Sequence, residues 1–201
     1  MSSNSGRAYP THRPPPTELP GRRFLLALGS CLLLHGGSSA HAAVACVGNT
    51  AQLALALNAA QSNGQDDVIK VEAGTYLLNA ELDYFAAAGE TFDIAIYGGY
   101  SPGCANLATS GSSVLDAQNG SRAMYILGRG RMTVYGLVFQ HGNPGQAGGG
   151  ALVVSGGTNT VAAVANNSFV DNACPSKSRG AAIQISADTI LLNNNLFIAT
   201  S

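Results

Sequence analysis

Short apolar runs, most of them three to five residues long, recur along the chain and are broken by Gly, Asn or Ser. They fall at 68–71, 92–97, 113–115, 124–127, 132–135, 152–154, 160–164, 182–185 and 189–192. Runs of this length between turn-forming residues predict β-strands. Asp66-Asp67 opens the first strand and Ala73-Gly74-Thr75-Tyr76 stops it, while Gly98-Gly99 stops the second. One segment has a different period. Leu53, Ala56, Leu57 and Ala60 recur at i, i+3, i+4 and i+7, which predicts a helix over 50–63 with one apolar face. Thr50 is placed to cap its start, and Gly64 suits the residue past its end.

The strand-like segments also copy one another. Gly149-Gly150-Ala151-Leu152-Val153-Val154-Ser155 returns as Gly180-Ala181-Ala182-Ile183-Gln184-Ile185-Ser186, a step of 31 residues. Asn166-Asn167-Ser168-Phe169-Val170 returns as Asn194-Asn195-Leu196-Phe197-Ile198, a step of 28, and Gly136-Leu137-Val138-Phe139-Gln140 precedes it by 30. Such steps describe stacked units, each sharing its core only with its neighbours. The fold class expected is therefore all-β: a right-handed parallel β-helix (a solenoid) with an N-terminal capping helix, truncated at its C-terminal end. A β-sandwich is the second choice. A βαβ sheet is disfavoured because long helical crossovers are missing. Stacked units lie about 4.8 Å apart, so Phe139, Phe169 and Phe197 should form an internal stack. Asn166, Asn167, Asn194 and Asn195 should occupy turns, where Asn tolerates left-handed backbone and its amide reaches the next coil.

Residues 1–21 are polar and Pro-rich and read as a disordered tail. Arg22-Arg23, the apolar stretches 24–28 and 32–34, and the closing Ala40-His41-Ala42 have the order of a secretory signal peptide over 22–42. Cleavage is expected between Ala42 and Ala43, with Ala45 the later alternative. Leu28-Gly29-Ser30-Cys31 and Ala43-Val44-Ala45-Cys46 offer lipid-anchor boxes as a competing reading. The apolar segment is too short to span a bilayer stably, so no transmembrane helix is expected in the mature chain. Residues 43–64 form the N-terminal cap and 65–201 the coils. From Ala43 onward 6 Lys+Arg face 10 Asp+Glu, a net charge of −4, which argues against a nucleic-acid partner. Arg122, Arg129 and Arg131 form the one local basic cluster and read as solvated turn residues.

Cys46, Cys104 and Cys174 remain after cleavage, in an oxidising compartment. A Cys46–Cys104 bridge is expected because both lie before the repeats proper. The alternatives are a Cys104–Cys174 bridge and three unbridged thiols.

Gly149-Gly150-Ala151-Leu152 followed by Phe169-Val170-Asp171-Asn172 resembles the paired G-G-A-[ILV] and F-x-x-N signatures of polymorphic outer-membrane-protein repeats. The unit at Gly180 departs by one Gly, and the copies at Phe139 and Phe197 lack the Asn. More broadly, residues from Cys46 onward are similar to secreted bacterial right-handed β-helix proteins of the pectate-lyase-like superfamily. The resemblance lies in the helix, the Asp66–Tyr76 opening and the order Tyr97-Gly98-Gly99-Tyr100, Cys104, Val114-Leu115-Asp116. It implies a secreted or outer-membrane location and speaks to fold more than to activity.

Catalysis on glycans would need paired carboxylates, or a basic residue beside bound calcium, on neighbouring coils. Asp66, Asp67, Glu72, Asp93, Asp116, Asp171 and Asp188 do not form an evident pair. Asp66-Asp67 reads as a turn and solubilising pair, Asp116 and Asp171 as turn residues, and Asp93 as outward-facing. His141 reads as an exposed loop residue. Cys and His show no metal-ligand spacing, and no cofactor is expected. The Gly-rich stretch 145–150 lacks the Lys and helix of a phosphate loop and reads as a flexible turn. The function expected is that of a non-catalytic secreted or cell-surface repeat protein, adhesin-like or passenger-like, presenting a surface to a carbohydrate or protein partner and prone to end-to-end self-association. The alternative is a carbohydrate-active β-helix enzyme, a polysaccharide lyase or hydrolase, whose catalytic coils are missing or degenerate.

Overall fold

A computed structural model describes residues 42–145, 147–174, 180 and 182–198. The Pro-rich residues 1–21 and the expected signal peptide, as far as residue 41, lie outside the described residues. The chain opens with β1 (Ala43–Val47) and α1 (Thr50–Ala60). Asn49, not Thr50, caps the helix: its side chain accepts a hydrogen bond from the Gln52 backbone N–H, while the Thr50 hydroxyl donates across to the Leu77 carbonyl. Leu53, Leu57 and Ala60 bury the apolar face against β1 and the strands that follow.

The coils then run in chain order. The first holds β2 (Asp67–Glu72), β3 (Gly74–Leu77) and β4 (Leu82–Phe85); the second β5 (Ile94–Tyr100), β6 (Ser113–Asp116) and β7 (Met124–Leu127). The third holds β8 (Arg131–Tyr135), β9 (Leu137–Gln140) and β10 (Leu152–Ser155). The fourth holds β11 (Val161–Ala165), β12 (Ser168–Val170) and β13 (Ile183–Ser186), and β14 (Thr189–Asn193) with β15 (Leu196–Ile198) begins a fifth. Every strand pairs in parallel with its equivalent one coil away. The result is three sheets, ordered β1-β2-β5-β8-β11-β14, β3-β6-β9-β12-β15 and β4-β7-β10-β13. This is a parallel β-solenoid.

Strand alternation sends every second side chain inward, and the register aligns those side chains into rows. Ile69, Ile96, Val134 and Val164 form one row, and Tyr84, Ile126 and Val154 another. The phenylalanine stack is present: Phe139–Phe169 and Phe169–Phe197 centroids lie 5.2 and 5.0 Å apart with rings 8° from parallel. The bend between the first and second sheets uses Gly136, Asn166 and Asn194 in turn, each with positive φ. The next residue points inward. The Asn167 Oδ1 accepts from the Leu137 N–H and its amide donates to the Val134 carbonyl; Asn195 repeats this one coil later toward Asn167 and Val164. A buried backbone that turns this sharply needs such side-chain partners for its N–H and C=O groups.

Several sequence expectations need correction. Gly98-Gly99 does not stop a strand but lies within β5, opposite a register shift between Lys70 and Glu72 in β2. The hydroxyl of buried Ser113 serves the local irregularity, donating to the Val71 and Glu72 carbonyls and accepting from the Gly99 N–H. The first strand does stop before Ala73, but Gly74-Thr75-Tyr76 belong to a new strand, β3, in which the Tyr76 side chain is buried. Residues 43–47 form β1 and extend the first sheet. β4 was not anticipated, because the run Leu82-Asp83-Tyr84-Phe85 is short and half polar. Asp67 is buried in β2, not a solubilising turn residue: it accepts from the Asn63 amide, and desolvation raises its carboxyl above the ordinary range.

The fifth coil differs from the others. Ile190, Leu191, Leu192, Leu196, Phe197 and Ile198 are each between 44% and 56% exposed, whereas their equivalents in the preceding coils are largely covered. No helix among the described residues is long and apolar enough to cross a membrane.

Candidate functional site

The outward face of the third sheet carries the most concentrated chemistry. In β4 the alternation that buries Leu82 and Tyr84 turns Asp83 and Phe85 outward; in β7 the same alternation turns Tyr125 outward. Register sets Asp83 beside Tyr125, Tyr125 beside Val153, and Val153 beside Gln184. The Phe85 and Tyr125 rings meet edge to face at 5.1 Å. Glu81, one residue before β4, comes alongside Asp83.

Arg122 joins these groups to the next coil. It is 7% exposed, not a solvated turn residue. Its Nε donates to the Gly149 carbonyl at 2.9 Å, one terminal nitrogen to the Gly148 carbonyl at 2.7 Å, and the other to Glu81 Oε2 at 2.8 Å. Its guanidinium also lies 5.3 Å from the Tyr125 ring centroid. The Gly-rich segment is thus held rather than loose. Gly149 is buried with φ +67, and a Cβ there would meet the Leu152 carbonyl oxygen at 2.8 Å. Two depressions of about 670 and 440 Å³ meet at Glu81, Arg122 and Ala147. Asn119, Ser121 and Asn143 line the first; Phe85, Tyr125, Val153 and Gln184 line the second. Together they make one groove, polar toward one end and aromatic toward the other.

Glu81 and Asp83 interact directly. The Glu81 carboxyl is raised to about 7: burial lifts it most, Arg122 pulls it down, and a hydrogen bond and charge repulsion from Asp83 push it up. Two carboxylates have no donor between them unless one is protonated. Oδ1 of Asp83 is buried and meets no N–H or O–H donor among the described residues.

A second cluster lies at the end of β6. Asp116 accepts from the Gln118 backbone N–H, the Gln140 amide and, at 2.9 Å, meets Nδ1 of His141. Burial raises its carboxyl, but these three partners outweigh that and hold it below the usual range. Asp116 therefore does cap a turn, as anticipated, and His141 is not simply exposed but orders that turn with positive φ. Asp66 accepts from the Asp93 N–H and Asp93 from the Arg131 N–H, so these two carboxylates brace the connections between coils. Asp171 is exposed at a left-handed turn position and Asp188 is exposed.

The Cys46–Cys104 bridge is present, joining β1 to the loop after β5 with Cα atoms 5.7 Å apart. Cys174 lies outside it, and its thiol donates to the Ala147 carbonyl at 3.2 Å. Among the described residues one trio has ligand-type atoms close together, Cys46, Glu72 and Cys104. Its sulfurs are committed to the disulfide, and Glu72 accepts from the Gly103 N–H. The repeat-motif residues are architectural. Gly150, Ala151 and Leu152 are buried where the chain enters β10, and the Gly180 carbonyl accepts from the Gly149 N–H. Asn172 accepts from the Gly142 N–H and donates to the Phe139 carbonyl.

Sequence reasoning missed Glu81, Asp83 and the role of Arg122. Glu81 and Arg122 are 41 positions apart, and the weak strand β4 gives little sign of the register that joins them. No family model, curated protein or solved structure matches the chain.

Proposed function

We propose that the protein is a non-catalytic secreted or cell-surface β-solenoid, adhesin-like or passenger-like, that presents the groove on its third sheet to a partner. The supporting observation is the groove itself. An aromatic pair, the Glu81 carboxyl and side-chain amides line it, several of them on strands paired with the coils above and below. Pre-set polar groups beside ring faces are the usual make-up of a recognition surface. Export is supported by the order of residues 22–42, and an oxidising destination by the Cys46–Cys104 bridge. The likeness to polymorphic outer-membrane-protein repeats and to pectate-lyase-like β-helices adds a right-handed coil sense, with α1 as the N-terminal cap. The exposed apolar face of the fifth coil supports end-to-end association.

A carbohydrate-active enzyme is the second reading, and Glu81 with Asp83 favours it, because a carboxyl raised to about 7 beside a second carboxyl suits acid–base work. Their contact weighs against it. Carboxyls that flank a glycosidic bond stand about 5 Å or more apart, whereas this pair is within hydrogen-bond reach. The test uses labelled protein beginning at Ala43 on a panel of glycans and extracellular-matrix proteins, with reducing-end release assayed in parallel. Saturable binding lost in Tyr125→Ala and Phe85→Ala, without turnover, is expected. Turnover abolished by Glu81→Gln would establish the enzyme instead, and binding indifferent to both aromatic changes would remove the groove as the recognition surface.

A further inference from the structure

We infer that the reduced form of the protein holds one Zn2+ between the thiolates of Cys46 and Cys104 and the carboxylate of Glu72, and that closing the Cys46–Cys104 bridge ejects it. The inference lies outside the groove and does not depend on it.

Three separate elements bring these side chains together. Cys46 lies in β1, Glu72 at the end of β2 and Cys104 in the loop after β5. Their ligand atoms, two sulfurs and a carboxylate oxygen, all lie within 4.8 Å of one another. The bridge alone does not create this convergence. Parallel pairing of β1 with β2 sets Cys46 beside Lys70. The loop carrying Cys104 is tied back on itself: the Ser101 N–H donates to the Asn106 carbonyl, the Cys104 N–H to the Ser101 carbonyl and the Ala108 N–H to the Gly99 carbonyl. Glu72 Oε1 accepts from the Gly103 N–H at 2.6 Å and lies 3.5 Å from Sγ of Cys46. The carboxylate also packs against Gly48, where a Cβ would come within 2.6 Å of Oε2. None of these contacts uses the S–S bond, so opening it leaves two thiols and a carboxylate facing one another.

The donor set selects the ion. Two thiolates favour a borderline-soft metal over Mg2+ or Ca2+, which take oxygen ligands. Thiolates bound at about 2.3 Å to one tetrahedral zinc stand roughly 3.8 Å apart, a spacing that cysteines with Cα atoms 5.7 Å apart reach by side-chain rotation. The Gly103 N–H is the outer partner that orients a metal-bound carboxylate. Cys46 is exposed whereas Cys104 is 4% exposed, so water reaches the ion from the Cys46 side and completes the tetrahedron.

The redox step is thiol–disulfide exchange. A small dithiol attacks the exposed Cys46 sulfur, Cys104 leaves, and the reductant departs as a cyclic disulfide. Two thiols form on the protein, and Zn2+ displaces their two protons. In the reverse direction the two thiolates give two electrons to a small disulfide, the protein S–S bond forms and two small thiolates leave. The zinc, having lost both sulfurs, dissociates. In a chain bound for an oxidising compartment, the ion would hold β1 to the loop after β5 until the bridge replaces it.

The experiment uses the full chain carrying Cys31→Ser and Cys174→Ser, so that only the two bridging sulfurs report. Oxidised protein, and dithiol-reduced protein freed of reductant, are dialysed without oxygen against Zn2+, and bound zinc is measured by atomic emission. Co2+ replaces zinc for spectroscopy. The reduced protein should take up one equivalent of zinc, and its Co2+ form should show the near-ultraviolet charge-transfer band of thiolate ligands. The oxidised protein should do neither. Glu72→Gln keeps an acceptor for the Gly103 N–H and should weaken zinc binding by about tenfold or more. Cys46→Ser, at an exposed position, should abolish stoichiometric uptake. Oxidised glutathione added to the zinc-loaded protein should release one zinc per bridge formed. A reduced protein that takes up no zinc would overturn the inference, as would equal uptake by the oxidised form or a Co2+ form without the thiolate band. Glu72→Gln binding as tight as the parent, or zinc that stays bound after the bridge has re-formed, would do the same.

Discussion

Replacing Arg122 by methionine tests whether the groove wall is a built structure. The substitution keeps an unbranched apolar stem and removes three donated hydrogen bonds. The Gly148 and Gly149 carbonyls are then left buried without that donor, at about 1–3 kcal/mol for an orphaned buried polar group. Glu81 loses its buried ionic partner, a change that typically costs about 3–5 kcal/mol. Part of this is recovered, because without Arg122 the Glu81 carboxyl rises further and takes up a proton. A net loss of about 3–5 kcal/mol is expected, measured as the shift in urea midpoint at constant slope. Far-ultraviolet circular dichroism is the natural probe, since the chain has no Trp. Glu81→Gln alone should cost far less, because its amide oxygen can still accept from Arg122. The double variant should show a coupling of at least about 1.5 kcal/mol between the two sites. A loss below about 0.5 kcal/mol in Arg122→Met would refute the latch and return Arg122 to the status of a solvated turn residue.

Other expectations follow from the coils. Phe169→Ala, in the middle of the aromatic stack and fully buried, should destabilise by about 3–5 kcal/mol, with a calorimetric transition that drops by several degrees; an unchanged transition would mean the stack does not support the core. Cys104→Ser opens a loop closed across 58 residues, and the chain-entropy relation gives a loss on the order of 4 kcal/mol, measured by denaturant unfolding of non-reduced samples. Two carboxyls should bend the pH profile of stability in opposite directions. Asp116 is held below its ordinary value of 3.8, so its contribution is present above that value and disappears as the pH falls below it. Glu81 is raised from 4.5 to about 7, so its contribution is present below 4.5 and is lost as the pH rises through 7. Asp116→Asn and Glu81→Gln should each flatten its own limb, and a profile unaltered by either would contradict the assignments. Finally, Leu192→Glu with Phe197→Glu on the half-exposed fifth coil should shift the protein toward monomer in light scattering at tens of micromolar, whereas a wild-type monomer at that concentration would dismiss end-to-end association.

Where units repeat, the sequence spoke clearly. Met124–Leu127 was read to the residue, and the pairing of Phe139, Phe169 and Phe197 followed from steps of 28 and 30. The signal was strong there because identical turns impose identical residues, such as the left-handed Asn166 and Asn194. The first coil was harder to read. Its strands β3 and β4 bring no repeated motif, and Asp83 interrupts the apolar run that would have marked β4. The site was harder still. A carboxyl shift depends on burial and on charges brought near by register, and neither Glu81 nor Arg122 has a local pattern that announces the other. A run of arginines near turns looks solvated until the backbone carbonyls of a distant glycine segment are known to face one of them. The expected helix cap failed for a smaller reason: Asn49 and Thr50 are both good caps, and the Leu77 carbonyl captured the Thr50 hydroxyl.

The disulfide has a mechanical meaning. Because each strand is held only by the coils on either side, tension on the C-terminal end should strip the solenoid one turn at a time, starting with β15. The Cys46–Cys104 bridge makes a covalent knot around the first coil and the start of the second, so peeling must stop there while the bond is intact. From Cys104 to Ile198 the chain could pay out roughly 310–340 Å at full extension, and the knotted base would keep its hold on whatever lies N-terminal to it. Force spectroscopy should record a series of small steps up to that limit, then a further lengthening only after reductant is added. A single all-at-once rupture would mean the coils do not behave as separate links.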